Sequence, residues 1–373
     1  MIAVKTVHLH PKGWFSGPGA YVIVDGQFGS TGKGALAALM ATIGPGLITH
    51  VTTNAGPNSG HSGFVPEELG GAKIVTRQLP VAAVVIKQAF GPSGIRVPVA
   101  YLNGGAIIDP EVLTQEINDF KFSYRNLQIH PCAAVIEDID KQAETTAGTA
   151  KIASTGKGVG AAMARKLMRE GNVVGEMRAV RDLQMFAKIG SHDWDWNHDV
   201  VLVETAQGFS LGINSPEFYP HTTSRECTVQ QALADARIPV RKLRKVAMSV
   251  RTYPIRVGNT EFGNSGPCYP DQRETSWAEL GVEPELTTVT HRVRRVFTWS
   301  RHQFMEAVKV NDPDLLFVTF IDYLPPERRV PFLQALYSDY YRAAQRQPDM
   351  ILCSDGPRPE DVKIFDWMEG KIT

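Results

Sequence analysis

Apolar residues gather along this chain in short, β-rich runs. Runs at 21–24, 48–52, 81–86, 99–102, 200–204, 246–250, 315–320 and 350–352 predict strands, several of them apolar enough to be buried on both faces. Between some of them the apolar positions recur at helical spacing, over 109–120, 161–170 and 301–310. Alternation of this kind predicts an α/β fold with a mainly parallel central sheet flanked by helices, whose ligands gather at the carboxyl ends of strands. Residues 67–72 and 258–284 leave the pattern. The second stretch is rich in Gly, Pro and Asn, and both are candidate mobile insertions.

At 373 residues the chain exceeds the usual single-core limit, so one large domain with insertions and two domains are both open. A hydrophobic content of 43% and a charged content of 21% are ordinary for a soluble enzyme. Lys+Arg 39 against Asp+Glu 39 gives no net charge, which argues against a nucleic-acid coat or an anionic membrane as partner. Cys132, Cys227, Cys268 and Cys353 lie far apart and form no CxxC pair, so neither a zinc motif nor a disulfide framework is predicted. A reducing cytoplasm fits this usage. No apolar run approaches a membrane span, and the first residues do not build a signal-peptide core.

The strand at 21–24 runs into Asp25-Gly26-Gln27-Phe28-Gly29-Ser30-Thr31-Gly32-Lys33-Gly34. Glycines let backbone N–H groups approach an anion, the following apolar residues start a helix, and Lys33 would sit on phosphates. The spacing is not the Walker pattern, because Lys33 is followed by Gly34 and the upstream glycine is one residue too distant. A purely structural glycine turn remains the alternative. Three other loops offer related chemistry. Asn58-Ser59-Gly60-His61 follows the strand at 48–52, and a histidine there can serve a phosphoryl transfer, an effect of about 10²–10⁴ in rate, or be a turn residue. Ser154-Thr155-Gly156-Lys157-Gly158 precedes a helix carrying Arg165, Lys166 and Arg169, which reads as an anion site or as a capped helix with a solvated basic face. Thr287 to Arg295 joins a threonine run to Arg292, Arg294 and Arg295; arginine forks bind carboxylates at roughly 1.5–3 kcal/mol per charge-assisted bond, and a basic β-surface is the bland reading.

Taken in order, these loops resemble the adenylosuccinate synthetase family. Gly26 to Gly34 is similar to its G-Q-W-G-D-E-G-K-G signature, the Asn58 loop to G-G-x-N-A-G-H-T, and 154–160 to T-T-G-R-G-I-G-P. Glu204-Thr205-Ala206-Gln207-Gly208 resembles E-G-A-Q-G, and 219–224 resembles Y-P-x-V-T-S. The arginine run resembles T-V-T-G-R-P-R-R-V-G, with His291 and Val293 in place of glycine and proline. Where the family places an aspartate that takes the purine N1 proton and touches magnesium, this chain has Ser30. That exchange marks a viral branch, the 2-aminoadenylosuccinate synthetases that act on dGMP.

The resemblance, which covers 21–358 in order, implies one P-loop-related domain over 1–373 and a set of roles. Ser30, Lys33, His61 and Gln207 would be catalytic. Gly29, Thr31, Gly32, Lys33, Gly34, Phe320, Asp322, Gly356 and Pro357 would hold the triphosphate. Ser30, Asn58, Thr155, Arg169, Gln207 and Thr223 would hold dGMP, with Arg169 supplied across a homodimer interface. Thr290 and Arg292 would hold L-aspartate, and Ser30 and Gly60 would hold Mg²⁺. Phe320 replaces the lysine that flanks guanine in the family's T-K-x-D element, so ATP or dATP is expected as donor ahead of GTP. The activity implied is ligation of aspartate to C6 of dGMP in the host cytoplasm, the alternatives being an IMP-using enzyme or a silent nucleotide-binding protein. Serine has no useful basicity at neutral pH unless another base activates it, which leaves water, substrate phosphate or a nearby carboxylate such as Asp25 to take the N1 proton. The run His192 to Asp199 carries metal-ligand residue types but shares no match with these motifs, and it is expected to be a polar loop.

Overall fold

The computed structural model describes residues 11–146, 151–171, 173–174, 181–261, 263–287 and 291–373. Its centre is an 11-stranded sheet. In chain order the strands used below are β1 (Gly19–Asp25), β2 (His50–Thr53), β3 (His61–Phe64), β4 (Lys73–Thr76), β5 (Val99–Leu102), β6 (Leu127–Ile129), β7 (Lys188–Ile189), β8 (Val200–Glu204), β9 (Leu243–Arg251), β10 (Ile255–Arg256), β11 (Glu274–Thr275), β12 (Arg295–Phe297), β13 (Leu315–Thr319), β14 (Met350–Ser354), β15 (Val362–Asp366) and β16 (Lys371–Ile372). The sheet runs β16-β15-β14-β13-β9-β1-β8-β2-β5-β6-β7. Every pairing from β14 across to β7 is parallel, and only the two pairings at one edge, β14 with β15 and β15 with β16, are antiparallel.

β1 occupies the middle of the sheet because both of its faces are apolar. Tyr21 and Ile23 belong to the core on one side, and Ala20, Val22 and Val24 to the core on the other. The β1 register sets Val22 beside Val203 and Val246, so β1, β8 and β9 end together at Asp25, Glu204 and Arg251. The carboxyl-end loops therefore converge, as the α/β pattern predicts.

Helices α1 (Lys33–Ile43), α2 (Val81–Ala89), α3 (Pro110–Phe120), α4 (Asp138–Thr146), α5 (Val159–Met168), α6 (Val229–Asp235), α7 (Arg301–Asn311) and α8 (Pro326–Ala344) accompany this sheet. Asp109 caps α3 by accepting from the amides of Glu111 and Val112. One expected strand is wrong. Residues 81–86 begin α2, a helix whose Val81 to Ile86 stretch is wholly buried against α1 and the sheet. Burial all round removes the amphipathic period that would have marked it, and tertiary packing overrides the β preference of its valines. The strand expected over 315–320 stops at Thr319, because Phe320 turns to φ 57°. The excursion at 67–72 is a short turn between β3 and β4. The one at 258–284 contributes β11, which pairs antiparallel with β12 in a three-stranded side sheet with β10.

Candidate active site

Asp25, buried at the end of β1, organises the glycine loop. Its Oδ1 accepts from the amides of Gln27 at 2.8 Å and Gly29 at 3.2 Å, and its Oδ2 from the Thr31 hydroxyl at 2.5 Å and the Lys33 ammonium at 2.9 Å. A carboxylate offers about four acceptor positions, so all of Asp25 is committed to shaping the loop. Among the described residues the backbone N–H groups of Ser30, Thr31 and Gly32 donate to no acceptor, which is the condition of an anion cradle. Thr31 contributes through this backbone, since its hydroxyl turns inward to Asp25 and Ser249. Lys33 Nζ gives a second bond, 2.8 Å to the Gln207 carbonyl. An ammonium has three N–H bonds, so one remains for a ligand.

Gly34 accounts for one departure from the Walker pattern, the glycine after Lys33, and Gly208 for how tightly the loop is closed. A Cβ on Gly34 would collide with the backbone carbonyl of Ser62, so only glycine lets β3 lie on the start of α1. That contact brings His61 to the Lys33 side of the loop, and Lys33 and Asp25 both act on its charge. A Cβ on Gly208 would meet the Gly29 amide, so the Gln207 turn closes on the loop from the β8 side. Gln207 itself takes φ 68°, outside the ordinary range of a side-chain-bearing residue. His61 Nε2 lies 3.2 Å from Ser59 Oγ. Burial, with Lys33 beside it, pushes the imidazole down to about 4, so the ring is neutral at pH 7 until substrate brings negative charge to it.

The neighbouring loops lock to one another through backbone. Asn54 accepts from the Ala206 amide and donates to Asp235, and buried Arg225 donates from Nη1 to the carbonyls of Asn54 and Gly105, both at 2.7 Å. Asn58 and Gly60 lie partly exposed on the loop that follows, and Thr223 is tied by its amide to the Leu211 carbonyl. The Thr155 loop leads into α5, whose Val159 packs close to Gly56 of the Asn58 loop. Arg169 closes α5 in the left-handed region at φ 64° and is exposed, beside exposed Leu167 and Met168.

Arg251, at the end of β9, is fully buried and joins three parts of the site. Its Nη1 donates to the Ser30 carbonyl at 3.3 Å, its guanidinium pairs with Glu285, and its plane lies 3.9 Å over the Phe320 ring. Tyr323 donates to the same Glu285 at 3.1 Å and contacts the Phe320 ring. One face of Phe320 is thus already covered, and a purine base has only the other face or the edge. Asp322 next to it is exposed, as is Pro357, while Gly356 is half-buried. Arg358 sits over the Phe64 ring at 4.9 Å and donates to the Gly71 carbonyl, which links the chain's last site motif to β3 and to the 67–72 turn. In the carboxylate-binding candidate, Arg292 is held by its amide on Thr287 Oγ1 at 2.9 Å, and Thr290 lies outside the described residues.

The oxygens available to a cation at Ser30 and Gly60 are uncharged, and Asp25, the carboxylate that shapes the loop, is fully engaged. This donor set fits Mg²⁺, which keeps most of its coordination from water and substrate phosphates, and does not fit a metal that needs an all-protein cage. Arg251, Glu285 and Arg225 were not expected from the sequence. Arg251 had a usable signal, the end of a predicted strand where α/β ligands gather; Glu285, brought in by tertiary pairing alone, had none.

Comparison with known proteins sets this geometry in a class. A family model described as adenylosuccinate synthetase matches residues 22–193 and 192–337. The N6-succino-2-amino-2'-deoxyadenylate synthase of Vibrio phage phiVC8 is 39% identical over 320 residues, 82% of this chain and 86% of that protein. Its namesake from Salmonella phage PMBT28 is 37% identical over 334 residues, 83% and 86%. The structure of the Cyanophage S-2L succinoaminodeoxyadenylate synthetase, bound to dGMP and to dATP as an energy donor, superposes with a TM-score of 0.78 at 30% identity, over 95% of this chain and 100% of that one. A fully ligated adenylosuccinate synthetase from Plasmodium falciparum, 17% identical, shares the fold with a TM-score of 0.69 over 92% and 98%. The chain is an α/β ligase of purine nucleotide synthesis, and it belongs to the adenylosuccinate synthetase family.

Proposed function

We propose that this ligase joins L-aspartate to C6 of dGMP, with ATP or dATP as phosphoryl donor, and releases N6-succinyl-2-amino-2'-deoxyadenylate. The observation that carries the reading is Ser30, a small neutral residue at the exposed tip of a loop otherwise built for nucleotide phosphates. The phage relatives named above support it: two carry the name N6-succino-2-amino-2'-deoxyadenylate synthase, and the Cyanophage S-2L enzyme is bound to dGMP and to dATP as an energy donor. The donor γ-phosphoryl would pass to O6 of dGMP, the N1 proton leaving with it. The aspartate amino group would then attack C6 and expel phosphate, its surplus proton going to solvent.

In that sequence the remaining N–H of Lys33 and the free loop amides hold the transferring charge, as positioning and electrostatics do in phosphoryl transfer generally. Neutral His61 hydrogen-bonds the oxygen being phosphorylated. Asp25 is a poor base for N1, because protonating it would release Lys33 and Thr31 from the loop. Water or substrate phosphate is therefore the better acceptor. Mg²⁺ held at Ser30 and Gly60 would neutralise charge between the phosphates. Gln207 would read the six-position edge of the purine. Asn58, Thr155, Thr223 and the partner copy's Arg169 would fix dGMP, and Thr290 with Arg292 would fix the aspartate carboxylates. Phe320, Asp322, Gly356 and Pro357 would border the donor base, and the 67–72 and 258–284 segments would move over the filled site of a single-domain enzyme in the host cytoplasm. Among the described residues no helix is long and apolar enough to cross a membrane.

Incubation with aspartate and each pairing of dGMP, GMP or IMP with ATP, dATP or GTP tests the reading. Succinylated product should form fastest from dGMP, and ATP and dATP should serve at least as well as GTP. A preference for IMP would replace it with the ordinary adenylosuccinate synthetase activity. No turnover of any pair, with nucleotide still bound, would leave a silent binding protein.

A further inference from the structure

The parallel strands end at the phosphate loop and begin about 20 Å away, and at that opposite edge a second group of ligand-type side chains comes together. His50 opens β2, Asp199 immediately precedes β8, and His192 lies in the segment between β7 and β8. β2 and β8 are parallel neighbours with His50 in register with Val201, which sets His50 beside Asp199. One ligating atom from each of the three lies within 4.8 Å of the other two. The polar loop expected over 192–199 thus acquires a third ligand from a distant strand.

The hydrogen bonds around His192 fix its tautomer. Gln128 Nε2 donates to the Gly190 carbonyl at 3.0 Å, which leaves Oε1 of the same amide 3.3 Å from His192 Nδ1. An amide oxygen only accepts, so Nδ1 carries the proton and Nε2 carries a lone pair. That lone pair faces Asp199 Oδ2 at 3.9 Å, an acceptor set against an acceptor. The other carboxylate oxygen is 3.2 Å from His50 Nδ1, which also lies 2.8 Å from the Thr49 hydroxyl, so a metal at this nitrogen takes the place of the proton it shares with Thr49 and Asp199. Asp199 is held in place by the Thr49 hydroxyl at 3.1 Å and the Asp195 amide at 2.8 Å. The Trp194 ring packs on both imidazoles, with centroid separations of 5.5 and 4.1 Å, and fixes their planes.

We propose that His50, His192 and Asp199 form a binding site for a divalent transition metal of the zinc class. Ligands of one tetrahedral zinc stand about 3.3–3.5 Å apart; His50 Nδ1 and His192 Nε2 approach different oxygens of Asp199, at 3.2 and 3.9 Å, so an ion between them takes the carboxylate through both oxygens or turns it, with about half an ångström of closure on the His192 side. Two imidazoles and one carboxylate select zinc, cobalt or nickel over Mg²⁺, which prefers an all-oxygen shell. His192 also lines a cavity of about 530 Å³ with Tyr101, Trp194 and Arg237, which supplies an entry path. Gln128 is the outer partner that orients a ligating histidine, a role whose loss typically costs about 10–100-fold in affinity. The bound ion fastens the 190–199 segment to the amino edge of the sheet, away from the phosphate loop.

The test is titration of the chelator-treated full chain with ZnCl2 by calorimetry and with CoCl2 by visible absorption. One equivalent of each ion should bind per chain, and the cobalt spectrum should show four-coordinate bands without a thiolate charge-transfer band. His192→Gln should abolish that equivalent. Gln128→Ala, which removes no ligand, should weaken it about 10–100-fold and keeps the test open if His192→Gln fails to fold. His198→Gln and His61→Ala should leave it unchanged. Absence of a stoichiometric equivalent in the unaltered chain, retention of it in both folded His192→Gln and Gln128→Ala, or its loss in His61→Ala would each overturn the proposal.

Discussion

At the scale of single residues, what distinguishes this site is how fully its charges are committed. Asp25 spends every acceptor position on the loop, Lys33 keeps one donor free, and His61 is neutral. Ser30→Asp adds a carboxylate at the exposed loop tip beside the phosphates. It should lower the dGMP rate by about tenfold or more, since one unfavourable charge contact of 1.4 kcal/mol already costs tenfold. Unchanged dGMP kinetics would remove Ser30 as the source of substrate choice. His61 has a second, acid-side signature. Its folded value lies below the ordinary 6.5, so the unfolded chain binds more protons between about 4 and 6.5, and stability falls as pH drops through that window. His61→Gln should abolish most turnover and, in urea unfolding at pH 7 and pH 5, lose about 1–2 kcal/mol less than the parent between the two. An equal loss in both proteins would mean that His61 is not buried in neutral form.

At the scale of elements, the Arg251–Glu285 pair ties the end of β9 to three loops that would otherwise move apart. Arg251 is fully buried, and its partners are the Ser30 carbonyl, the Phe320 ring and Glu285 at the root of the arginine-rich loop. Removing one member of such a pair strands a buried charge, a loss of about 3–5 kcal/mol. Glu285→Gln should therefore raise KM for aspartate and for the nucleoside triphosphate together, while an effect on only one of them would show that the loops are not coupled through Arg251. This link also marks where sequence reading stopped. The glycine loop, the Asn58–His61 loop and the strand ends were legible because each is a local run of residues with a local task. Val81 to Ile86 was misread because a stretch buried all round has no period, and Arg251 with Glu285 was invisible because the pair exists only after Glu285 meets the end of β9. The His50 contribution to the second histidine cluster was hidden for the same reason.

For the whole molecule, the parallel sheet separates two edges with different chemistry: committed charges and free amides where β1, β8 and β9 end, and imidazoles under tryptophan where β2 and β8 begin. The first edge is incomplete in one copy if Arg169 serves a neighbour's nucleotide, and the surface around Arg169 is consistent with that arrangement. Leu167 and Met168 next to it are 68% and 66% exposed, an apolar pair at the end of α5 that solvent alone would not favour. α5 is meanwhile anchored at its own end, with Arg165 paired to Asp140 and Glu137 and Lys166 donating to the Gly104 carbonyl, so Arg169 projects from a fixed base. Arg169→Ala should raise KM for dGMP by about tenfold or more, the range for loss of a charge-assisted bond of 1.5–3 kcal/mol. Mixed with Lys33→Ala subunits, it should regain part of the lost turnover, because a mixed dimer contains one site with both residues intact. Sedimentation should show a dimer whose association weakens in Leu167→Asp. A monomer at assay concentration, or mixtures no more active than either variant alone, would place Arg169 outside the site and leave the phosphate of dGMP to Thr155 and Thr223.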